Sequence, residues 1–385
     1  MNVLLISANT ERFNLPALPY GLAFVSGAVR AAGHNVAMLD LLRETDPRVA
    51  IAREVQAVRP DVVGISVRNI DDQCMQRPRF LLEQVQEVVS ACRAHSQAPL
   101  VLGGAGYSIF PAAALVHLGA DFGVCGEGEV VFPALLSRLQ RGEDPAGLPG
   151  VYAAGQPGRV PRTCRPNLDS LPPLADDLWP ATDPADPNVW VPVQSRRGCP
   201  LGCSYCSTAS IQGRTVRVRA PRLVTAEIAR LARRGFRRFY FVDNTFNRPP
   251  AYALALCREI AGQGLNIAWR CILYPRDVPE ELVGAMAAAG CVEVGLGFES
   301  GSARVLRAMH KQFLPEEVRA ISGRLAGHGI RRLGFLLLGG PGETQETAEE
   351  SLAFADSLHL DQLRITVGIR IYPGTPLART AVQEG

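Results

Sequence analysis

Short apolar runs alternate with helix-like stretches over the first 140 residues. The apolar runs are continuously hydrophobic, as expected for strands that are covered on both faces of a sheet. Five such strands are predicted, at residues 2–7, 36–40, 61–66, 99–104 and 121–126. Helices are predicted after them, at residues 21–33, 46–58, 79–95, 111–118 and 129–141. This order predicts a parallel, doubly wound α/β sheet of the Rossmann-like kind.

The alternation stops at residues 142–189, where prolines are concentrated. We interpret this stretch as a linker that carries a short hairpin at residues 150–155. It separates a first domain at residues 1–141 from a second domain at residues 190–385. A length of 385 residues is about right for two domains.

The second domain resumes the alternation of strands and helices. Six strands are predicted, at residues 191–195, 238–244, 267–273, 292–298, 331–340 and 364–371. The intervening helices are predicted at residues 223–234, 250–263, 278–289, 302–308, 315–328 and 344–358. Six strand–helix units fall short of a full eight-stranded barrel, so we expect a partial (βα)6 barrel.

Composition and charge exclude several classes of function. The formal net charge is only +3, and the basic residues are scattered arginines apart from Lys311, the single lysine. We therefore expect no nucleic-acid partner. No run of about 18 apolar residues lacks charges, so no membrane span is predicted, and the opening residues do not form a signal peptide. We expect a cytoplasmic protein. We also expect His310 and Lys311 to form a polar turn.

Three of the ten cysteines are clustered, because Cys199, Cys203 and Cys206 have the spacing CxxxCxxC. Three thiolates in so short a loop can converge on one soft metal centre. Three ligands leave one metal position open for chemistry, whereas four would close a structural site. A zinc knuckle with a distant fourth ligand is the alternative. No histidine lies between His117 and His310, so the neighbouring sequence offers no imidazole for it.

At these residues the chain resembles the radical S-adenosylmethionine (SAM) superfamily. In that family the same cysteine spacing follows the first barrel strand, and an aromatic residue, here Tyr205, precedes the last cysteine. The resemblance implies that Cys199, Cys203 and Cys206 bind a [4Fe–4S] cluster whose open iron holds SAM. It also implies that one electron cleaves the sulfonium and yields a 5′-deoxyadenosyl radical. The second domain would then be a radical SAM partial barrel.

Later strand ends fit the same family. Residues 241–246 occupy the place of its second-strand motif, although the literal GGE is absent, and residues 295–302 match its fourth-strand pattern. Arg270 and Arg370, on the third and sixth strands, could hold the SAM carboxylate or a substrate anion. Structural ion pairs at both arginines and a helix cap at Ser300 are the alternatives. The expected SAM-binding residues are Tyr205, Asp243, Asn244, Thr245, Arg270, Glu299, Ser300 and Arg370.

Three loops of the first domain are candidates for a second cofactor, at residues 66–69, 103–108 and 125–129. Glycines let the backbone approach a ligand at the strand ends of a doubly wound sheet. No GxGxxG follows the first strand, which argues against an ordinary dinucleotide site. Residues 1–140 resemble the cobalamin-binding domain that is fused to many radical SAM enzymes. The expected cobalamin-binding residues are Ser66, Arg68, Asn69, Gly103, Gly104, Gly106, Tyr107, Gly126, Glu127 and Gly128.

The first domain departs from the classical cobalamin domain in one loop. Residues 8–20 lack the histidine that ligates cobalt in classical members. We therefore expect cobalamin to be bound base-off and without a histidine. A domain that keeps the fold but has lost cobalamin is the alternative.

The two resemblances together imply a cobalamin-dependent radical SAM enzyme that methylates an unactivated carbon of a metabolite or peptide. Its expected partners are a small-molecule or peptide substrate and an electron donor such as a flavodoxin or ferredoxin. Two alternatives stay open, namely a non-methylating cyclisation or rearrangement and a non-catalytic metal- or redox-sensing module. The sequence does not reveal the identity of the substrate.

Overall fold

The computed structural model describes residues 1–11, 18–72, 77–156, 164, 167–179 and 182–384. The chain divides into two compact units. The first unit is Met1–Thr182 with Ser210–Gln212, and the second is Asp183–Ala209 with Gly213–Gly385. No helix in these described ranges is both long enough and apolar enough to cross a membrane.

The first unit is built around one sheet. Its strands are β1 (Asn2–Ser7), β2 (Asn35–Asp40), β3 (Val62–Ser66), β4 (Leu100–Gly103), β5 (Phe122–Val124) and β6 (Val151–Ala153). Its helices are α1 (Tyr20–Ala31), α2 (Pro47–Val58), α3 (Leu82–His95), α4 (Pro111–Leu118) and α5 (Gly128–Gln140). The strand order is β2-β1-β3-β4-β5-β6, and the first five strands are parallel.

Local sequence explains why these elements form and where they begin. Residues 3–6 of β1 are all buried, and their side chains divide between hydrophobic clusters on the two faces of the sheet. The start of α2 is fixed by Asp46, whose carboxylate accepts the backbone N–H groups of Arg48 and Val49. Pro47 occupies the first helical position, where no N–H is needed.

Val151–Ala153, within the hairpin predicted at residues 150–155, pairs antiparallel with β5 and forms the sixth strand of the sheet. A turn follows at residues 154–155. Residues 157–163 lie outside the described part of the chain, so the hairpin stays a prediction.

The rest of the chain contains a second six-stranded sheet and a separate two-stranded ribbon. The strands are β7 (Val191–Val193), β8 (Arg196–Arg197), β9 (Arg217–Val218), β10 (Arg238–Phe241), β11 (Ala268–Leu273), β12 (Cys291–Glu299), β13 (Arg331–Leu338) and β14 (Gln362–Val367). The helices are α6 (Thr208–Gln212), α7 (Pro221–Arg233), α8 (Pro250–Gly262), α9 (Glu280–Ala288), α10 (Ala303–Ala308), α11 (Pro315–Gly327), α12 (Gln345–Ser357) and α13 (Pro376–Glu384).

The large sheet of the second unit is parallel and open. Its order is β14-β13-β12-β11-β10-β7, so β14 and β7 are edges that do not pair with each other. This is the partial barrel expected from six strand–helix units. The short antiparallel ribbon of β8 and β9 was not predicted. It is too short to leave a periodic signal.

The sixth barrel strand is shorter than predicted. The strand β14 ends at Val367, and Gly368 follows it with a φ of +88°. This left-handed backbone interrupts the extended run, so the predicted strand at residues 364–371 does not continue. Arg370 therefore follows the strand instead of lying on it.

Candidate functional site

The three clustered cysteines lie in a loop that follows β7 and β8. Gly198 precedes the first of them with a φ of +88°. A β-carbon at this position would lie 2.0 Å from the carbonyl oxygen of Thr215, so only glycine fits. Cys199 then donates its backbone N–H to the carbonyl of Gly213 at 3.0 Å. The glycine thus allows the loop to begin against the backbone of residues 213–215.

Backbone contacts from distant segments hold the middle of the cysteine loop. The N–H of Ser204 donates to the carbonyl of Met309 at 3.0 Å, and its carbonyl accepts the N–H of Leu377 at 2.9 Å. The Nδ1 of His310 lies 3.2 Å from the carbonyl oxygen of Gly202. The positions of the cysteines are therefore set by the tertiary fold as well as by their spacing.

The three thiols differ in their surroundings. Burial raises the pKa of Cys199 and of Cys203, and the ammonium of Lys311 opposes both shifts. The sulfur of Cys206 accepts the backbone N–H of Thr208 at 3.5 Å. At Cys199 and Cys203 the nearby cation favours the thiolate form that binds iron.

The donor set of this loop fits an iron–sulfur cluster. Among the described residues, no group of three or more histidines, cysteines or carboxylates is close enough to hold a single metal ion. The thiolates of a cubane each bind a different iron atom, so they stand further apart than the four ligands of one zinc ion. Three cysteines would leave the fourth iron open.

A buried ion pair lies beside the cysteine loop. Glu299, the last residue of β12, has a φ of +63°, which is uncommon for a residue with a β-carbon. Its Oε1 lies 3.3 Å from the Nζ of Lys311, and the lysine side chain is only 5% exposed. Burial opposes the charged lysine, but Glu299, Tyr205 and Cys203 outweigh it, so the pKa of Lys311 lies well above its ordinary value.

Aromatic rings surround the lysine of this pair. Its Nζ lies 5.3 Å from the ring centroid of Tyr205, 6.0 Å from that of Tyr274 and 5.9 Å from that of Phe313. The polar turn predicted for Lys311 is therefore wrong, because the side chain is buried. Sequence reasoning missed this residue, although it is the only lysine in the chain.

The carboxylate of Asp243 supports the cysteine loop instead of facing a ligand. It is fully buried, and burial raises its pKa. It accepts the backbone N–H groups of Ser195 at 2.8 Å and of Arg196 at 3.1 Å, as well as the hydroxyl of Ser195. The expected direct contact between Asp243 and SAM is corrected on this ground. Its neighbours differ, since Asn244 is partly exposed and Thr245 is buried.

The hydroxyl of Ser300 also forms hydrogen bonds within the protein. Its Oγ lies 2.8 Å from the Oγ of Ser351 on α12 and accepts the backbone N–H of Ser302 at 3.0 Å. The side chain is fully buried. Ser300 therefore orders the turn between β12 and α10, which is the structural alternative, and its SAM contact stays a prediction.

Arg270 takes the structural role that was the alternative for it. Its Nη1 lies 3.6 Å from Oε1 of Glu293 on the neighbouring strand. Its guanidinium also packs over the rings of Trp190 at 4.2 Å and Tyr240 at 4.9 Å. Burial lowers the pKa of Arg270, and Glu293 opposes that shift. These contacts agree with the structural ion pair that was the alternative, and the SAM contact of Arg270 stays a prediction.

Arg370 lies in the loop after β14. Its Nη1 donates to the hydroxyl of Tyr372 at 3.0 Å, and its guanidinium lies over the ring of that tyrosine. The structure thus places it past the carboxyl end of a barrel strand. That position differs from the one predicted on the strand itself.

In the first unit, the loops that follow the parallel strands meet at one edge of the sheet. Ala8 donates its N–H to the carbonyl of Ser66, and Val67 donates to the carbonyl of Gly103. A shallow pocket lies here and is lined by Ala8, Asn9, Thr10, Val67, Arg68, Asn69, Leu81, Gln84 and Val85. The predicted residues Ser66, Arg68 and Asn69 all reach this edge. Of the loop at residues 8–20, residues 12–17 lie outside the described part of the chain.

The glycines after β4 allow the loops after β3 and β4 to come into close contact. A β-carbon on Gly104, whose φ is +97°, would lie 2.5 Å from the carbonyl oxygen of Val67. A β-carbon on Gly106 would lie 3.0 Å from the carbonyl oxygen of Arg68. The sequence suggested that these glycines admit a ligand, but their first effect is to let the loops after β3 and β4 touch. Gly103 has only ordinary contacts.

The loop after β5 is tied to the loop after β4. Gly126 donates its N–H to the hydroxyl of Ser108 at 3.2 Å, and that hydroxyl donates to the carbonyl of Gly104 at 2.9 Å. Glu127 is buried at the start of α5. A β-carbon on Gly128 would lie 2.9 Å from Val25 of α1, so this glycine serves helix packing.

The expectation that Tyr107 contacts cobalamin is corrected. Its side chain is fully buried in a hydrophobic cluster, and its hydroxyl has no hydrogen-bond partner among the described residues. Gly123 on β5 makes room for it, because a β-carbon there would lie 1.8 Å from the hydroxyl oxygen. The ring therefore belongs to the core and not to the edge where the loops meet.

The three histidines of the first unit lie at or shortly before the starts of strands along the chain. His34 immediately precedes β2, and its Nδ1 lies 3.4 Å from the amino group of Met1. His95 ends α3 and His117 lies in the last turn of α4. The ring of His117 packs 5.7 Å from the ring of Phe80, which belongs to the loop after β3. None of the three is among the residues that line the pocket at the carboxyl edge.

Comparison with known proteins agrees with both halves of this description. A family model described as the Radical SAM superfamily matches residues 193–355. A second model, described as the B12 binding domain, matches residues 6–136. The two matches coincide with the barrel that carries the cysteine loop and with the sheet of the first unit.

Similar proteins span almost the whole chain. An uncharacterized methyltransferase of Pyrococcus horikoshii, PH0819, is 29% identical over 371 residues, which cover 94% of this chain and 78% of that protein. The tryptophan 2-C-methyltransferase of Streptomyces laurentii is 24% identical over 442 residues, which cover 98% of this chain and 74% of that protein.

A solved structure has a similar fold. It is the radical S-adenosylmethionine methyltransferase TsrM of Kitasatospora setae, with tryptophan substrate and a SAM analogue bound. The TM-score is 0.89 at 25% identity, and the match covers 99% of this chain and 76% of that one.

Proposed function

We infer that this protein, a radical SAM enzyme with an amino-terminal B12-binding domain, is a cobalamin-dependent methyltransferase that acts on carbon. The observation that carries the inference is that one chain joins a B12-binding sheet to a barrel with an anchored CxxxCxxC loop. The relatives that span nearly the whole chain are named methyltransferases, which supports the same class of reaction.

The cofactors are a [4Fe–4S] cluster, SAM and cobalamin, which when bound supply one-electron cleavage of a sulfonium and a carrier for the methyl group. Cys199, Cys203 and Cys206 would bind the cluster through their thiolates. Glu299 would accept hydrogen bonds from SAM beside the open iron. The loops after β3, β4 and β5 would bind cobalamin.

Two further sets of contacts belong to this proposal. Tyr205, Asn244 and Thr245 would line the SAM site, because they lie beside the cysteine loop or directly after β10. Arg370 would reach the carboxylate of SAM or of the substrate from the loop after β14, since its guanidinium donates several N–H groups in one plane.

We propose a small molecule or a peptide as the methyl acceptor. The solved methyltransferase with the similar fold binds tryptophan, which supports a substrate of small size. The proposal includes a flavodoxin or ferredoxin as electron donor and a cytoplasmic location. A low-potential cluster needs a one-electron donor and a compartment in which its cysteines stay reduced.

Replacing Cys203 by Ala tests the cluster assignment. The variant should lose the brown absorbance of the cluster and all SAM cleavage, since a cubane with two protein ligands is not held. Cys257→Ala is the matched control, because Cys257 is a single buried cysteine in α8 and should not affect the cluster. A Cys203→Ala protein that still cleaves SAM would refute the assignment.

Product analysis tests the reaction. The reconstituted enzyme is incubated with cobalamin, a one-electron reductant, candidate substrates and SAM labelled in its methyl group. We expect S-adenosylhomocysteine and a labelled methyl group on carbon, with 5′-deoxyadenosine marking hydrogen abstraction. Deoxyadenosine without S-adenosylhomocysteine would favour a cyclisation or rearrangement. Neither product from cluster-loaded enzyme would favour a sensing module.

A further inference from the structure

One basic side chain at the cysteine loop has no role in the proposed reaction so far. Lys311 is the only lysine among 40 basic residues, and its side chain is almost completely buried. It lies two residues after Met309, whose carbonyl binds the cysteine loop at Ser204. The chain therefore places its single side-chain ammonium next to the candidate cluster site.

The side chain of Lys311 contacts both Glu299 and the cysteine loop. Its Nζ forms the ion pair with Glu299 at 3.3 Å, and it lies over the ring of Tyr205, the neighbour of Cys206. Tyr205 stands between Ser204, whose N–H donates to the carbonyl of Met309, and the cluster ligand Cys206. Both charges of the ion pair therefore lie close to the cysteine loop.

The geometry favours a lysine over the arginine that the chain uses elsewhere. An ammonium is a compact point charge, whereas a guanidinium is a wide planar fork. The rings of Tyr205, Tyr274 and Phe313 surround the Nζ within 6.0 Å of their centroids. A point charge fits in this space and still reaches the carboxylate.

We propose that Lys311 is a positioning residue that fixes Glu299 for SAM and keeps a positive charge beside the cysteine loop, where it stabilises the reduced cluster. This inference rests on the proposed function. Reduction adds one negative charge to the cluster, so a neighbouring cation favours it and a neighbouring carboxylate disfavours it. The two members of the ion pair should therefore have opposite effects on the reduction potential.

Amine labelling tests the placement of Lys311 without any activity. Reductive methylation with labelled formaldehyde can modify only the amino terminus and Lys311 in this chain. In the folded protein we expect modification of the amino terminus alone, and modification of both after unfolding in urea. Equal rates of modification at the two amines in the folded protein would overturn the proposal.

The decisive experiment measures how much of the cluster is reduced at one fixed potential. It compares wild-type protein with Lys311→Met and Glu299→Gln by electron paramagnetic resonance during dithionite titration. At the wild-type midpoint, Lys311→Met should lower the ratio of reduced to oxidised cluster roughly tenfold, which is about 59 mV for a one-electron couple. Glu299→Gln should raise the same ratio.

Two controls separate charge from damage to the structure. Lys311→Arg keeps the charge and should recover the potential, but it should bind SAM more weakly because the wider group displaces Glu299. Arg307→Met removes a positive charge from an exposed position of α10 and should change nothing. If Lys311→Met fails to assemble a cluster, Lys311→Arg and Glu299→Gln still give the comparison.

The outcomes distinguish this proposal from the proposed function. A wild-type protein that assembles no cluster overturns both. A wild-type protein that assembles the cluster and cleaves SAM, together with variants whose potentials are unchanged or move in the same direction, overturns the role of Lys311 alone. Opposite shifts for Lys311→Met and Glu299→Gln, with recovery in Lys311→Arg, support it.

Discussion

Glu299 combines two costly features in one residue. Its backbone adopts a left-handed conformation, and its carboxylate is paired inside the protein with Lys311. A β-carbon is disfavoured in that conformation, so the fold bears strain at the point where β12 ends. Strain of this kind is concentrated at functional sites, and here it turns the carboxylate towards the cysteine loop.

Replacing Glu299 by Gly and by Ala separates the backbone from the carboxylate. Both variants lose the ion pair, but only Ala keeps the strained β-carbon. We expect Glu299→Gly to be more stable than Glu299→Ala by about 1 kcal/mol in urea unfolding.

Val292 on the same strand is the matched control for that comparison. It is partly exposed and is not among the residues with positive φ. At this position the Gly variant should be the less stable of the pair. If the Gly variant is less stable than the Ala variant at Glu299 as well as at Val292, the backbone of Glu299 is unstrained.

At the scale of elements, the packing of Tyr107 against β5 predicts an unusual gain of stability. Its hydroxyl is buried and finds no hydrogen-bond partner in the part of the chain that the structure describes, and Gly123 leaves just enough room for it. Because an unsatisfied buried hydroxyl is unfavourable, Tyr107→Phe should stabilise the protein by about 1 kcal/mol in urea unfolding. Its cobalamin affinity should not change. A marked loss of cobalamin affinity would show that the hydroxyl turns to the ligand.

The outermost barrel strand has an acid-sensitive anchor. Asp361 precedes β14 and accepts the backbone N–H of Arg332 on β13 at 2.8 Å. That hydrogen bond and the guanidinium of Arg332 lower the pKa of Asp361. A carboxyl with a lowered pKa stabilises the folded state above its ordinary pKa, and the stabilisation is lost as the pH falls towards the folded value.

We therefore expect Asp361→Asn to lose stability at neutral pH and to match wild type in strong acid. The loss should be less than about 1 kcal/mol, since the carboxylate is 36% exposed and water screens it. The difference should begin to shrink as the pH falls below the ordinary pKa of an aspartate, about 3.9, and should disappear once the carboxyl is protonated in the folded state as well. Urea unfolding at a series of pH values measures it. A difference that persists in acid would assign the loss to packing.

The strands and helices were largely predictable from the sequence because both sheets are parallel and covered by helices. Continuous apolar runs such as residues 2–7 stand out against amphipathic helices. The strands that were not predicted from the sequence share one property. The strand β6 and the ribbon of β8 and β9 are two or three residues long, so tertiary pairing and not periodicity defines them.

At the scale of the whole molecule, the two domain types and their cofactors were predicted from motifs, and the comparisons confirm them. The partners of individual side chains were not predictable. Asp243 and Ser300 lie at strand ends where a ligand was expected, yet both bind the protein itself. Lys311 was passed over because spacing carries no information on what surrounds a side chain. Such contacts arise only when distant segments meet.

The lower face of cobalamin gives a prediction for the assembled protein. None of the three histidines of the first unit is among the residues that line the pocket at the carboxyl edge of its sheet. We therefore expect a base-off electron paramagnetic resonance spectrum of the cob(II)alamin form, without splitting from a nitrogen nucleus. Triplet splitting would show a nitrogen ligand. Failure to take up cobalamin would leave the sheet as a scaffold.

The anchoring of the cysteine loop has a consequence for biosynthesis. Its partners Met309 and Leu377 follow it far along the chain, so a ribosome completes the three cysteines long before the residues that hold them. Contacts between distant segments form late in folding. Until then the thiols are unprotected, and oxygen can convert them to disulfides or sulfenic acids. We therefore expect a higher yield of active protein from expression without air than from cluster reconstitution after expression in air.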